Sequence, residues 1–499
     1  MKHTIKSISF LNGASIYLIS TIVAFFVNIL VLPIYTRLLT PEEYGITIIF
    51  VIFGKLVAGF FHFSLHDATY RYYFEYENDL EQFKKLNSSN FLFIIFNFIV
   101  IYLIIVSTSN LFYDKIFDGQ LSPSLITLAL ISGFLDYIFL YLMTLLTAQV
   151  RAREHSIITI LYMIISSISS VSFMFFFSLT YMGRIYGIIF SQILSVILLL
   201  ILCRRLFTIK LSYKLFKKSF LYALPYYPIM LLGLSSNYLD KTILSTSKGN
   251  SSLAQYSIGI NFAVVLKQIM DSVSKAWNPF FLTNALKNNE QSKKAIIERF
   301  YSMAVVFMII GLGVTYFAEE AIKLLTTKEY HFAIWITPIY IFFYLFAILG
   351  YLTNMQLSAA EKMKYLIPGS IVSGILNIIL NLTLIPIYGM IGAAVSAALT
   401  SLVSQLFLFY FAMKIFPLEI NKKKLISLYL LLMIFTLPAY FIYALSLNLF
   451  IKMFIKIILI YLFTYICVKR NFILKEYILN VLSNYKYSKK LIPFIKNII

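Results

Sequence analysis

Apolar stretches of about 20 residues, divided by short polar breaks, recur along the whole chain; a helix needs that length to cross a hydrocarbon core about 30 Å thick. Their centres fall near residues 22, 56, 99, 134, 168, 194, 232, 268, 308, 344, 377, 400, 436 and 459, which predicts about fourteen transmembrane helices in an all-α polytopic membrane protein. The connectors are too short for a soluble catalytic domain, so any function must reside within the helices. The first run follows a basic start as a leader peptide would, but it is long and lacks a small-residue cleavage pattern, and it is read as an uncleaved first span.

Composition agrees: 60% of the 499 residues are hydrophobic and 13% charged, with a mean hydropathy of +0.84, whereas soluble domains run at about 25% charged. The net charge of +21 does not mark a nucleic-acid binder, because the cations are not gathered on one face. About 30 of the 42 Lys and Arg fall in alternate connectors and in the tail, and about seven in the others. By the positive-inside rule this asymmetry predicts cytoplasmic N- and C-termini. Cys203 and Cys467 lie at helix ends assigned to the cytoplasmic side, so no disulfide is expected.

Two segments echo each other at an offset of about 205 residues. "YMGRIYGIIFSQIL" from 181 pairs with "IYGMIGAAVSAAL" from 387, and "IYTRLLTPEEYGI" from 34 loosely with "LDKTILSTSKGNSSLAQYSIGI" from 239. Six helices separate the copies, so they share an orientation. This predicts two pseudo-symmetric six-helix lobes with a cavity at their interface: residues 1–207, residues 208–420, and two extra helices with a basic tail over 421–499.

Five cations remain inside apolar runs: Lys55, Lys267, Lys275, Lys452 and Lys456. A lysine at a span centre costs about 2.5–3.5 kcal/mol on insertion scales, and such residues are functional candidates by default. Positions 55, 59, 62, 66 and 70 are spaced for one helical face, giving a polar stripe of Lys55, Gly59, His62, His66 and Tyr70, with Arg71 one step round. Such a stripe must face the bundle or a watered cavity. Lys55 has two readings, contact with an anionic substrate or a pair with an acid such as Asp136; Asp136 is in turn a counter-ion or a proton-coupling candidate. His62 and His66 have metal-ligand spacing, but no third ligand is evident, and no metal is expected. In "LKQIMDSVSKAW", Lys267, Asp271 and Lys275 lie at i, i+4 and i+8, a net positive stripe suited to a diphosphate or else a structural trio. Arg37, Asp240 and Lys241, at span ends, are gate or anchoring candidates, and Arg71 is grouped with them. Lys452 and Lys456 are expected to snorkel.

Three motifs, "LPIYTRLLTPEEYG" (32–45), "LPYYPIMLLGLSSNYLDKTIL" (224–244) and "NIILNLTLIPIYGMIGAAVSAALTS" (377–401), resemble polysaccharide-biosynthesis flippases. These are the O-antigen and capsule repeat-unit translocases of the multidrug/oligosaccharidyl-lipid/polysaccharide (MOP) exporter superfamily. The resemblance covers almost the whole chain. It implies a MATE-like pair of lobes in a bacterial inner membrane, alternating between inward-open and outward-open states and flipping undecaprenyl pyrophosphate-linked oligosaccharide. It implies no enzyme activity and no cofactor. Implied partners are the lipid-linked oligosaccharide, membrane lipid, a coupling H+ or Na+, and polysaccharide polymerase or chain-length machinery, with no nucleic acid. Related precursor flippases carry cavity-facing cations in helices 2 and 8, places that Lys55 and Lys267 match. They also tend to carry an arginine in helix 1, where this chain has Asn28. Two rivals remain at this point: an ion-coupled multidrug exporter of the same superfamily, which predicts cavity acids, and a membrane-embedded polymerase or glycosyltransferase, which ordinarily needs a large outer loop.

Overall fold

The computed structural model describes residues 26–116, 122–224, 227–287, 289–445 and 447–472, together with Ser20 and Val23. The basic N-terminal residues and most of the basic tail lie outside them. Among the described residues there are helices and no strands. They are α1 (Phe26–Leu38), α2 (Pro41–His62), α3 (Leu65–Glu75), α4 (Leu80–Ile116), α5 (Pro123–Ala148), α6 (Ala152–Phe176), α7 (Thr180–Cys203), α8 (Tyr213–Ala223), α9 (Tyr227–Lys287), α10 (Glu290–Leu325), α11 (Ala333–Ala359), α12 (Leu366–Ile415), α13 (Lys422–Ala444) and α14 (Leu449–Lys469).

Ten of them are long and apolar enough to cross a membrane. The helix α12 holds two segments joined at Gly389, and α9 likewise holds two joined at Gly249; both glycines have positive φ, +58° and +83°, which an L side chain rarely adopts. Against the expected fourteen, ten helices among the described residues meet that test; α1 is a shorter apolar helix and α9 is not among the ten.

The chain divides into two compact units. One comprises Met1–Gln255, Leu325–Tyr330 and Ile378–Gly389; the other comprises Tyr256–Leu324, His331–Asn377 and Met390–Ile499.

In the first unit the "TPEEYG" motif is a helix start. Thr40 and Glu43 form a capping box, with the Thr40 amide donating to Glu43 Oε2 at 2.9 Å and the Glu43 amide to Thr40 Oγ1 at 3.3 Å, and Pro41 opens α2. Tyr44 meets Tyr330 edge-on, and the Tyr330 hydroxyl donates to the Leu39 carbonyl at 2.8 Å. A buried polar knot ties α3, α4, α5 and α8 together: Asn90 Nδ2 donates to Thr69 Oγ1 (3.0 Å) and Ser219 Oγ (2.8 Å), and the Tyr141 hydroxyl to Asn87 Oδ1 (2.7 Å). These bonds join four helices in an otherwise apolar bundle, although Asn90 Oδ1 is buried without a hydrogen-bond partner among the described residues.

In the second unit the core is apolar, with Phe281, Phe300, Phe307, Ile348 and Leu432 fully buried. One ionic cluster interrupts it. Lys452 Nζ lies 2.9 Å from Glu319 Oε1, Lys456 Nζ 3.4 Å from Glu319 Oε2 and 2.6 Å from Glu320 Oε1, and Lys323 Nζ 2.7 Å from Glu319 Oε1. Lys456 has no exposed surface and Lys452 only 7%. The expectation that these two lysines snorkel is therefore corrected: they point inward and bind α14 to α10. Both cysteines are free and buried.

Candidate functional site

Two helix crossings shape a cavity in the first unit. Where α2 meets α5, Gly54 and Gly133 bring the backbones together: a Cβ on Gly54 would lie 2.6 Å from the Ala129 carbonyl oxygen. Small residues at such a point let helices touch without a hydrophobic driving force. Where α6 meets α7, Gly183 and Gly187 do the same, a Cβ on Gly183 falling 2.7 Å from the Met174 nitrogen. Ser169 Oγ donates to the Gly187 carbonyl (3.0 Å) and Ser170 Oγ to the Arg184 carbonyl (3.2 Å), which secures that register.

One residue beyond Gly54 stands Lys55, and one turn beyond Gly133 stands Asp136. They meet at 3.7 Å, with side chains 38% and 36% exposed. Arg184, between the two α7 glycines, reaches the same cavity. Its guanidinium donates to Thr47 Oγ1 at 2.7 Å and lies over the rings of Tyr35 (4.6 Å) and Tyr44 (4.3 Å). Among the described residues no carboxylate lies within ion-pair distance of Arg184. The cavity, about 190 Å³, is lined by Asn28, Tyr35, Lys55, Asp136, Arg184 and Gln192 among others, with Gln192 held by Ser132 Oγ at 3.0 Å. It contains two cations and one carboxylate, with hydroxyls and amides between them. Such a lining can bind an anion and hydrogen-bond polyhydroxylic groups.

The predicted stripe is only partly realised. The expectation of one helical face from 55 to 70 is corrected, because α2 ends at His62 and the next two residues, Phe63 and Ser64, take left-handed φ values of 46° and 55°. One local and one tertiary hydrogen bond satisfy the break: Ser64 N–H donates to His62 Nδ1 at 3.0 Å, and Asn97 Nδ2 of α4 donates to the Phe61 carbonyl at 2.8 Å. His62 stacks on Tyr137 with centroids 4.1 Å apart, and His66 lies edge-on to the same ring at 5.7 Å. Neither histidine is among the residues lining the Lys55 cavity. Among the described residues no His, Cys, Asp and Glu cluster suits a metal. Arg71 and Tyr70 are on α3; Arg71 reaches Glu75 at 3.9 Å and lies over Tyr222.

In the second unit Lys267 Nζ bonds Asp271 Oδ2 at 2.6 Å, and the Tyr351 hydroxyl donates to Asp271 Oδ1 at 2.8 Å. The Lys275 side chain lies outside the described residues. Asp240, which is buried, accepts from the backbone amide and the ammonium of Lys241 at 2.8 and 3.4 Å. Arg37 is exposed and donates to the Pro33 carbonyl at 3.3 Å. Sequence reasoning placed Arg184 in a connector. The signal that marks it is its position inside the apolar run beside Gly183-x-x-x-Gly187, one step round from the face that meets α6, so that it turns toward α2.

The fold is one shared by solved transporters of the MOP superfamily and by a lipid II flippase. The lipid II flippase MurJ in an inward closed conformation superposes with a TM-score of 0.65 at 17% identity, over 93% of this chain and 98% of that one. An inward-facing multidrug resistance MATE family transporter gives 0.61 at 12% identity, over 79% and 94%. A MOP superfamily transporter from Pyrococcus furiosus, described as having a binding pocket of reversed polarity, gives 0.56 at 13% identity, over 83% and 96%. The family model for polysaccharide biosynthesis proteins matches residues 34–335, and the chain belongs to that family. No curated protein matches it in sequence.

Proposed function

We propose that this protein flips polyprenyl (undecaprenyl) pyrophosphate-linked oligosaccharide repeat units from the cytoplasmic to the outer leaflet of a bacterial inner membrane by alternating access, for surface polysaccharide assembly. The observation that carries the reading is the charge of the first-unit cavity: Lys55 and Arg184 against the single carboxylate of Asp136. A diphosphate can take both cations, while Tyr35, Asn28, Ser132 and Gln192 offer donors and acceptors to a sugar. Asp136 then serves as the resting counter-ion that Lys55 exchanges for substrate. The 3.7 Å separation and partial exposure suit an exchangeable pair better than a locked one. A cation exporter would need the opposite balance in that cavity. The family membership and the likeness to a flippase named for a lipid-linked substrate support the same reading.

The test is reconstitution into vesicles with a fluorescent polyprenyl-pyrophosphate oligosaccharide. Lys55→Ala and Arg184→Ala are each expected to lower the flipping rate tenfold or more. Wild-type rates in both variants would refute the anion reading, and export of a cationic dye with no lipid flipping would favour the drug-exporter alternative.

A further inference from the structure

The second unit carries a groove of about 400 Å³ that the cavity described above does not use, bordered by α11, the second span of α12 and the start of α13. Its walls are apolar, with Leu349, Leu406, Phe409, Met413 and Ile426 among them, and its rim at one end holds Lys414 and Lys422. Lys414 Nζ lies 4.4 Å from the centre of the Tyr410 ring, which also borders the groove. No carboxylate lies within ion-pair distance of either lysine among the described residues, although Glu419 is in the intervening connector. The neighbouring Lys424, by contrast, is engaged: it donates to the Asn471 carbonyl at 2.7 Å.

The connector that separates the two lysines is held in place. Gln356 Nε2 donates to the Phe416 carbonyl at 2.7 Å, and the Tyr301 hydroxyl to the Asn421 carbonyl at 3.0 Å. The rim lysines are thus carried on a fixed turn at the end of the spans where the basic connectors fall. Lys422 and Lys423 also sit in the first turn of α13, where the helix dipole disfavours cations unless an anion is near. An apolar slot between membrane-spanning helices that ends in two cations, with no acidic partner among the described residues, has the layout of a phospholipid site.

We propose that this groove binds an anionic phospholipid, one acyl chain lying along Leu406, Phe409 and Ile426 and the headgroup phosphate held by Lys414 and Lys422. The site lies within one unit, so it does not depend on the transport cavity.

The experiment uses the full chain in detergent, titrated with dioleoyl phosphatidylglycerol or dioleoyl phosphatidylcholine and read by native mass spectrometry, with thermal unfolding in parallel. Wild type is expected to retain phosphatidylglycerol over phosphatidylcholine. Lys414→Gln with Lys422→Gln should reduce that preference about tenfold while unfolding at the wild-type temperature without lipid. Leu406→Trp, which fills the slot and leaves the lysines, should reduce retention of both lipids. Equal retention of the two lipids by wild type, or an unchanged preference in the double variant, would overturn the proposal. So would displacement of phosphatidylglycerol by a polyprenyl phosphate at equimolar concentration, which would assign the slot to a carrier lipid. A loss of flipping in Lys55→Ala leaves this result untouched, so the two readings fail separately.

Discussion

Both units bury charge inside apolar helices, and they do so in opposite ways. In the first, Lys55 and Asp136 stand 3.7 Å apart, each more than a third exposed, with an unpaired Arg184 in the same cavity. In the second, Glu319 is bonded at 2.7–3.4 Å by Lys323, Lys452 and Lys456, and Lys456 is also bonded by Glu320. Three charge-assisted contacts on one carboxylate leave no direction for a ligand to approach. A single long contact beside a guanidinium that meets a hydroxyl and two rings but no carboxylate among the described residues leaves several. Charge therefore joins helices where its partners are saturated and, on the proposed function, offers a site where they are not.

The comparison breaks most visibly at Lys456. Lys456→Met strands the half-buried Glu320 and takes one of three cations from the buried Glu319, and the expected cost is about 3 kcal/mol, read as a fall in unfolding temperature of the solubilised protein. Lys55→Met is expected to cost no more than about 1 kcal/mol, because its pair is partly solvated. If the two variants lose equal stability, the distinction fails.

Next in size is the crossing that builds the cavity. Gly133→Leu forces a side chain against the α2 backbone, and overpacking of this kind costs about 1–3 kcal/mol. Flipping should be lost even where the protein still inserts and folds, which a protease-protection assay beside the flipping assay would show. Asp136→Asn comes third. It removes the resting partner and leaves the cations, so substrate affinity should rise about two- to tenfold as the competing carboxylate disappears. An unchanged affinity would mean that Lys55 does not exchange partners.

The smallest effect lies outside the spans. Lys218 Nζ bonds Glu75 Oε1 at 2.5 Å and the Tyr76 hydroxyl at 3.1 Å, and these contacts raise its pKa. A raised lysine contributes stability that is present below its unfolded pKa and lost as the pH climbs through the folded one. The unfolding temperatures of wild type and Lys218→Met should therefore differ by a constant, small amount between pH 6 and 9, corresponding to at most about 1 kcal/mol for so exposed a pair. Any change in that difference within this window would place the titration on another group.

How far the sequence could be read follows from which interactions are local. The Thr40 capping box went unread, whereas the membrane-spanning helices and the Lys55–Asp136 pair, one of the two readings of Lys55, follow from run length and the scarcity of acids in apolar helices. The stripe through His62 and His66 does not, because periodicity assumes an unbroken helix, and Phe63 and Ser64 are not residues that announce a left-handed break. The break is held by Asn97 from another helix, so it is a tertiary effect. Lys452 and Lys456 were misread for a similar reason: their partners lie more than 130 residues away on α10, and a lysine near a span end looks the same whether it turns outward or inward.

The contact between Gly54 and Gly133 has a consequence for how this protein can change. Nothing smaller than glycine exists, so neither position can be rescued by a change at the other, and the architecture there is frozen. The neighbouring Lys55 and Asp136 carry no such constraint, since they meet at 3.7 Å with both side chains more than a third exposed. On the proposed function, substrate preference can thus be rewritten beside a joint that stays fixed: exchanging the two charges, Lys55→Asp with Asp136→Lys, keeps the crossing and moves the cation from one helix to the other.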